Sequence, residues 1–121
     1  MKKNVLLIED DRALNEAIKM KLEKAGYGVV SALTAEEAIP VLENQPIDFV
    51  WLDILLPGMN GLEFLRVIRQ KPLLKDKKVA VVSVSGSYGT KEEARKWGIV
   101  DYIVKSEYKL NDIVDRIISQ I

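Results

Sequence analysis

Val50-Trp51-Leu52-Asp53-Ile54-Leu55-Leu56-Pro57-Gly58-Met59-Asn60-Gly61 decides the fold of this chain. Residues 47–52 are apolar apart from Asp48, with Phe49, Val50 and Trp51 among them. That composition predicts a parallel strand covered on both faces. A carboxylate is costly to bury in such a strand, so Asp53 belongs at its mouth. Pro57-Gly58 then turns the chain, and Asn60 with Glu63 forms a capping pair for the next helix. Asp53 is therefore expected at the carboxyl edge of a central strand, where open α/β sheets bind their ligands.

A second stretch answers the first. Val5-Leu6-Leu7-Ile8 is another short apolar strand, followed at once by Glu9-Asp10-Asp11. Asp10 and Asp11 are good helix caps. With Asp53 at a neighbouring strand end, the same residues also form an anionic cluster. Clustered carboxylates repel and need a hard cation or raised pKa values.

The rest of the chain alternates in the same way. The first strand covers about Asn4 to Ile8, and a helix of about Arg12 to Ala25 stops at Gly26. Val29 and Val30 form strand two. Thr34 with Glu37 caps a helix to about Glu43, which Pro40 should bend or shorten. Helix three covers about Gly61 to Gln70 and should bury Leu62, Leu65 and Ile68. A basic loop, Pro72 to Lys78, leads into strand four, Val79 to Val84. Thr90 with Glu93 should cap helix four, which ends at Trp97-Gly98. Strand five is about Tyr102 to Val104, and the last helix runs from about Leu110 to Ile121. Five strands alternating with five helices predict a parallel, doubly wound α/β sheet. Glu9, Asp10, Asp53, Ser83 and Lys105 all fall at carboxyl ends of strands.

Composition narrows the chemistry. At 121 residues the chain suits one domain. Lys plus Arg and Asp plus Glu number 18 each, so bulk electrostatics gives no reason to expect nucleic-acid binding. No run is long enough for a membrane span or a signal peptide, so a cytoplasmic protein is expected. Cys and His are both absent, which excludes disulfides, His-based triads, phosphohistidine relays and the usual zinc sites. Any metal must take oxygen ligands, which favours Mg²⁺, Mn²⁺ or Ca²⁺.

Ile8-Glu9-Asp10-Asp11, Leu52 to Gly61, Ser83 and Asp101-Tyr102-Ile103-Val104-Lys105 resemble the receiver domain of two-component response regulators. The match spans essentially the whole chain, residues 1–121, in order and with the family's spacing. It implies a flavodoxin-like (βα)5 fold with strand order 2-1-3-4-5. It makes Asp53 the phosphoacceptor. Glu9, Asp10, Asp53 and the backbone carbonyl of Leu55 become Mg²⁺ ligands, and Ser83 and Lys105 become contacts to phosphoryl oxygens. Tyr102 becomes the aromatic that moves inward when Ser83 is drawn to the phosphoryl group.

The function so implied is that of a phosphoacceptor signalling domain. A sensor histidine kinase or phosphotransfer protein would phosphorylate Asp53 and switch the helix 4–strand 5–helix 5 face, with homodimerisation through that face. Such a domain promotes its own phosphorylation and dephosphorylation and has no separate substrate turnover. The alternative is a pseudo-receiver, an interaction module independent of phosphorylation. A free-standing phosphohydrolase lacks support, since no lid and no second Asp two residues past Asp53 is present. Two departures from the family pattern stand out. Lys105-Ser106 replaces the usual Lys-Pro, so a trans bond, a changed loop and a displaced Lys105 are expected. Val84 replaces a small residue after the strand-four hydroxyl and should lie beside the phosphoryl pocket.

Overall fold

Short apolar runs alternating with amphipathic segments leave each strand beside a helix that can cover it. The computed structural model describes residues 2–121. Its strands are β1 (Asn4–Ile8), β2 (Gly28–Ala32), β3 (Phe49–Leu52), β4 (Val79–Ser83) and β5 (Asp101–Val104). Between and after them come α1 (Arg12–Lys24), α2 (Ala35–Asn44), α3 (Gly61–Arg69), α4 (Tyr88–Lys96) and α5 (Leu110–Ile118). A short 3₁₀ turn, Lys105–Glu107, joins β5 to α5. The sheet is parallel with order β2-β1-β3-β4-β5, as the resemblance implies.

Alternation along each strand divides the core in two. Leu6, Ile8, Val50 and Leu52 face one side, where Phe64, Leu65 and Ile68 of α3 and Ala38 and Leu42 of α2 cover them. Val5, Leu7, Phe49 and Trp51 face the other, beneath Ile18 and Leu22 of α1 and Ile113 and Ile117 of α5. Phe64, buried on α3, anchors the face more firmly than Leu62, which is only partly buried.

Several boundaries differ from the sequence expectation. Residues 47 and 48 do not join β3, because side chains hold the segment: Asp48 Oδ2 accepts from the Asn4 N–H at 2.7 Å, and Asn4 Nδ2 donates to the carbonyl of the preceding Pro46 at 3.0 Å. Pro40 lies within α2 and does not shorten it. It is exposed, so the Glu36 carbonyl that lacks its usual donor can turn to water. Helix α4 starts a turn earlier than expected. Ser87 is its cap, accepting from the Thr90 N–H at 3.3 Å, while the Thr90 hydroxyl bonds Ser87 Oγ at 2.7 Å. The caps Asp11, Thr34 and Asn60 accept from the N–H groups of Leu14, Glu37 and Glu63 at 3.0, 3.1 and 2.9 Å. Val84 leaves the sheet after Ser83 and is 57% exposed, so it is no part of the two-face buried strand. The last helix ends at Ile118.

Register positions the edge residues. Ile8 pairs with Leu52, so Glu9 and Asp53 leave the sheet side by side. Ser83 pairs with Val104, so Lys105 emerges beside the end of β4.

Helix α5 is latched to β5 by charge as well as packing. The Arg116 guanidinium donates to both oxygens of Asp101, at 2.7 and 2.6 Å, and Gln120 Nε2 donates to the same carboxylate at 2.7 Å. Burial pushes the Asp101 carboxyl up, but these donors outweigh it and hold the group below the usual aspartate range. A depressed folded pKa contributes stability above the ordinary aspartate value of about 3.9, and that stability is lost as pH falls through the folded value. Solvent around Arg116 limits the pair to about 1 kcal/mol. Urea unfolding of the chain and of Asp101→Asn should therefore differ by about that much at neutral pH, with the gap closing below about pH 4.

Candidate functional site

Two buried carboxylates meet at the carboxyl edge of the sheet. Glu9 is 1% exposed and Asp53 is 4% exposed. Their backbones continue the sheet ladder: Glu9 N–H donates to the Ala32 carbonyl and Asp53 N–H to the Ile8 carbonyl, each at 3.1 Å. Asn15, buried on α1, donates from Nδ2 to the Glu9 carbonyl at 3.0 Å. The side chains are held as firmly. The Asp11 N–H donates to Glu9 Oε2 at 3.1 Å, and the Leu55 N–H donates to Asp53 Oδ1 at 3.2 Å.

The Lys105 ammonium bridges the pair. It donates to Asp53 Oδ2 at 3.0 Å and forms a short contact with Glu9 Oε1. The Lys105–Ser106 bond is trans, and the 3₁₀ turn carries the ammonium into the cluster. The expected displacement of Lys105 does not occur, because attraction to two carboxylates fixes a long side chain that the turn leaves within reach. Burial raises the Glu9 pKa, aided by the Asp53 charge and only partly opposed by Lys105 and the Asp11 N–H. Burial alone would lower that of Lys105, but Glu9 and Asp53 outweigh it and keep the lysine charged.

The other edge residues fall nearby. Ser83 is fully buried at the end of β4, and its Oγ accepts from the Ser85 N–H at 3.3 Å. Tyr102 is partly buried, with its hydroxyl donating to the Ser85 carbonyl in a short hydrogen bond. Burial raises its pKa, the Ser85 bond partly offsets this, and the Asp53 charge adds to it. Lys91 Nζ lies 5.9 Å from the ring centroid. Leu55 follows in the loop after Asp53 and is 54% exposed.

Glu9, Asp10 and Asp53 each offer a carboxylate oxygen, and these oxygens lie within 4.8 Å of one another. An all-oxygen set of this kind fits a hard divalent cation. Asp10 is exposed and supplies an open side, whereas Asp11 is committed to capping α1.

Asn15 and Ser85 escaped the sequence reading. Asn15 shares the α1 stripe of Ile18 and Leu22, and an amide on an apolar stripe is a signal that it bonds buried backbone. Ser85 looked like one more loop serine, and no local pattern marks its two backbone contacts.

The family model for the response regulator receiver domain matches residues 5–118, and the chain belongs to that family. It is similar to the uncharacterized transcriptional regulatory protein YcbL of Bacillus subtilis, 36% identical over 102 residues covering 83% of this chain and 43% of that protein. It is also similar to the response regulator protein FleR of Pseudomonas aeruginosa, 39% identical over 106 residues, 87% of this chain and 22% of that one. The chain thus spans less than half the length of these curated relatives. Among solved structures, a CheY-like response regulator receiver domain protein from Methanospirillum hungatei JF-1 superposes with a TM-score of 0.89 at 29% identity, covering 99% of this chain and 94% of that one. The non-phosphorylated HemR receiver domain of Leptospira biflexa gives 0.88 at 29% identity, with 98% and 93% covered. Receiver domains as a family switch on phosphorylation, bind Mg²⁺ in an acidic pocket and interact with histidine kinases or phosphotransfer proteins. No helix among the described residues is long and apolar enough to cross a membrane.

Asn15→Ala leaves the Glu9 carbonyl without its side-chain donor. Chemical denaturation should show a loss of about 1–3 kcal/mol, the usual cost of unpairing a buried polar group.

Proposed function

We propose that residues 1–121 act as one receiver domain that accepts a phosphoryl group on Asp53 from a sensor histidine kinase or phosphotransfer protein. The observation that carries this is the Asp53 carboxylate at the sheet edge, 3.0 Å from the Lys105 ammonium and grouped with the oxygens of Glu9 and Asp10. An Asp53 oxygen forms the new O–P bond as the donor's P–N bond breaks. The donor nitrogen keeps the electron pair and takes a proton from solvent. Lys105 offsets charge on a phosphoryl oxygen, and the Ser83 hydroxyl, already accepting from Ser85, has its own proton to donate to another. Glu9 (through water), Asp10, Asp53 and the Leu55 carbonyl would hold Mg²⁺ or Mn²⁺, which supplies the positive charge needed to bring an anion to an anionic site. Hydrolysis of the acyl phosphate returns the carboxylate, so the domain promotes its own turnover and has no separate substrate.

Output runs through Ser85. Drawing the Ser83 hydroxyl toward a phosphoryl oxygen disturbs its bond with the Ser85 N–H, and the Ser85 carbonyl holds Tyr102. Movement of Tyr102 then alters α4, β5 and α5, the face through which we propose homodimerisation in the cytoplasm. Direct nucleic-acid binding by this domain is not part of the proposal.

Incubation with acetyl phosphate and Mg²⁺ should raise the intact mass by one phosphoryl group, and Asp53→Asn should abolish the gain. Unchanged labelling in that variant would overturn the assignment. Val84 and Leu55 follow Ser83 and Asp53 in the chain, are exposed and apolar, and offer no polar group to position a water. Val84 is β-branched and stiff, so it should restrict an in-line water or a small donor. Val84→Ala should speed both phosphorylation and loss of phosphate, about tenfold for each 1.4 kcal/mol removed from the barrier. Its exposure keeps the stability cost small. Unchanged rates would reduce Val84 to a loop residue.

A further inference from the structure

The loop from Asp53 to α3 folds back on itself. Ile54 and Leu56 are buried, and the Leu56 and Gly61 N–H groups both donate to the Ile54 carbonyl, at 3.0 and 2.9 Å. Gly61 packs so closely on the chain after β3 that a Cβ there would stand 2.5 Å from the Asp53 carbonyl oxygen. The tip of the loop, residues 57–60, is thus tied to the backbone of the proposed phosphoacceptor. Gly58, at φ 70°, makes the reversal. Among the described residues, a single hydrogen bond joins this tip to a helix other than α3: the Met59 N–H donates to Glu36 Oε2 of α2 at 3.0 Å. The same carboxylate lies over Gly58, where a Cβ would stand 2.5 Å from Oε2.

Glu36 reaches the loop from a fixed base. Thr34 Oγ1 accepts from the Glu37 N–H at 3.1 Å, and the Leu33 N–H donates to Glu37 Oε2 at 3.3 Å, a reciprocal cap that holds the first turn of α2 around Glu36. The Met59 N–H, with the Glu36 N–H, keeps the Glu36 carboxyl below the usual glutamate range, so the bond to Met59 is charge-assisted at neutral pH. Leu55 lies between Asp53 and the tip, and its N–H donates to Asp53 Oδ1 at 3.2 Å. We infer, on the receiver reading proposed above, that Glu36 is a positioning residue of the phosphoacceptor site: it fastens the 57–60 tip to α2, and through that tip it fixes Leu55 and the Asp53 carboxylate that the Leu55 N–H orients. Glu36 is not among the clustered carboxylates Glu9, Asp10 and Asp53, so it acts through the loop and not as a ligand.

Two substitutions separate the bond from the charge. Glu36→Gln keeps an oxygen acceptor for Met59 and removes the charge. Glu36→Ala removes both, and alanine suits an exposed helical position, so the far-ultraviolet circular dichroism should not change. In ¹H–¹⁵N NMR of the metal-free chain, the Met59 and Leu55 amides should exchange faster with solvent in Glu36→Ala and near the unsubstituted rate in Glu36→Gln. A Mg²⁺ titration of the same samples should give a Kd raised roughly two- to tenfold in Glu36→Ala, the range expected for one lost hydrogen bond, and within about twofold of the unsubstituted chain in Glu36→Gln. Phosphorylation by acetyl phosphate at limiting Mg²⁺ should slow in the same order. Mg²⁺ binding with equal Kd and equal Leu55 exchange in the unsubstituted chain and Glu36→Ala would overturn the positioning role and leave the receiver reading standing. Glu36→Gln matching a weakened Glu36→Ala would also overturn it, since loss of charge would then be the cause. An unsubstituted chain that gives no saturable Mg²⁺ shifts and accepts no phosphoryl group would overturn both.

Discussion

The carboxyl edge of this sheet depends on one ammonium between two buried carboxylates. Because Ile8 and Leu52 are paired, Glu9 and Asp53 emerge as neighbours. Two like charges about 4 Å apart repel by roughly 4 kcal/mol at an effective dielectric near 20, so they need a compensating charge. Lys105 supplies it from two strands away, since β4 lies between β5 and β3. Adjacent strands are about 4.8 Å apart, and only a long side chain spans two such steps. The end of β4 permits the crossing: Ser83 is small and buried, and Val84 turns out to solvent. The sheet order, the β4 terminus and the 3₁₀ turn after β5 thus serve one electrostatic requirement.

The same edge is connected to the α4 side of the molecule by a short chain of hydrogen bonds. Ser83 Oγ accepts from the Ser85 N–H, and the Ser85 carbonyl accepts from the Tyr102 hydroxyl. Ser85 Oγ also reaches Thr90 Oγ1 at 3.4 Å, and Thr90 bonds the Ser87 cap of α4. A change at Ser83 therefore meets the start of α4 and the aromatic side chain of β5 within two residues. Under phosphorylation of Asp53, this is the path by which the proposed switch would travel, and it is a packed, bonded element rather than mere proximity.

Much of the fold was legible because strand and helix periods are strong and local. Each buried strand was visible as an apolar run, and Glu9, Asp10, Asp53 and Lys105 were visible as charges at the ends of such runs. The strand order came from the resemblance, not from periodicity. What stayed hidden depended on contacts distant in sequence. Asn15 stands out as an amide on the apolar stripe of α1, but its partner, the Glu9 carbonyl, is shown only by the folded chain. Arg69 reads as a surface charge, yet it donates to the carbonyls of Trp97 and Gly98 at 2.6 and 2.8 Å and fastens the end of α4. Thr90-Glu93 is a plausible cap in sequence, but α4 starts a turn earlier and is capped by Ser87 instead. Pro40 argued against a continuous helix, but exposure of that face removes most of the reason to break it.

The central claim is that Asp53, among all the acidic side chains, is the one that is phosphorylated to an acyl phosphate. Borohydride reduces an acyl phosphate to the alcohol and leaves free carboxylates unchanged, so it marks the acceptor permanently. The chain should be treated with acetyl phosphate and Mg²⁺, reduced, digested and sequenced by mass spectrometry. The account predicts homoserine at position 53 alone, absent when Mg²⁺ is withheld. Reduction at Glu9 or Asp10 instead, or no reduced residue under conditions where the phosphodonor is consumed, would contradict it.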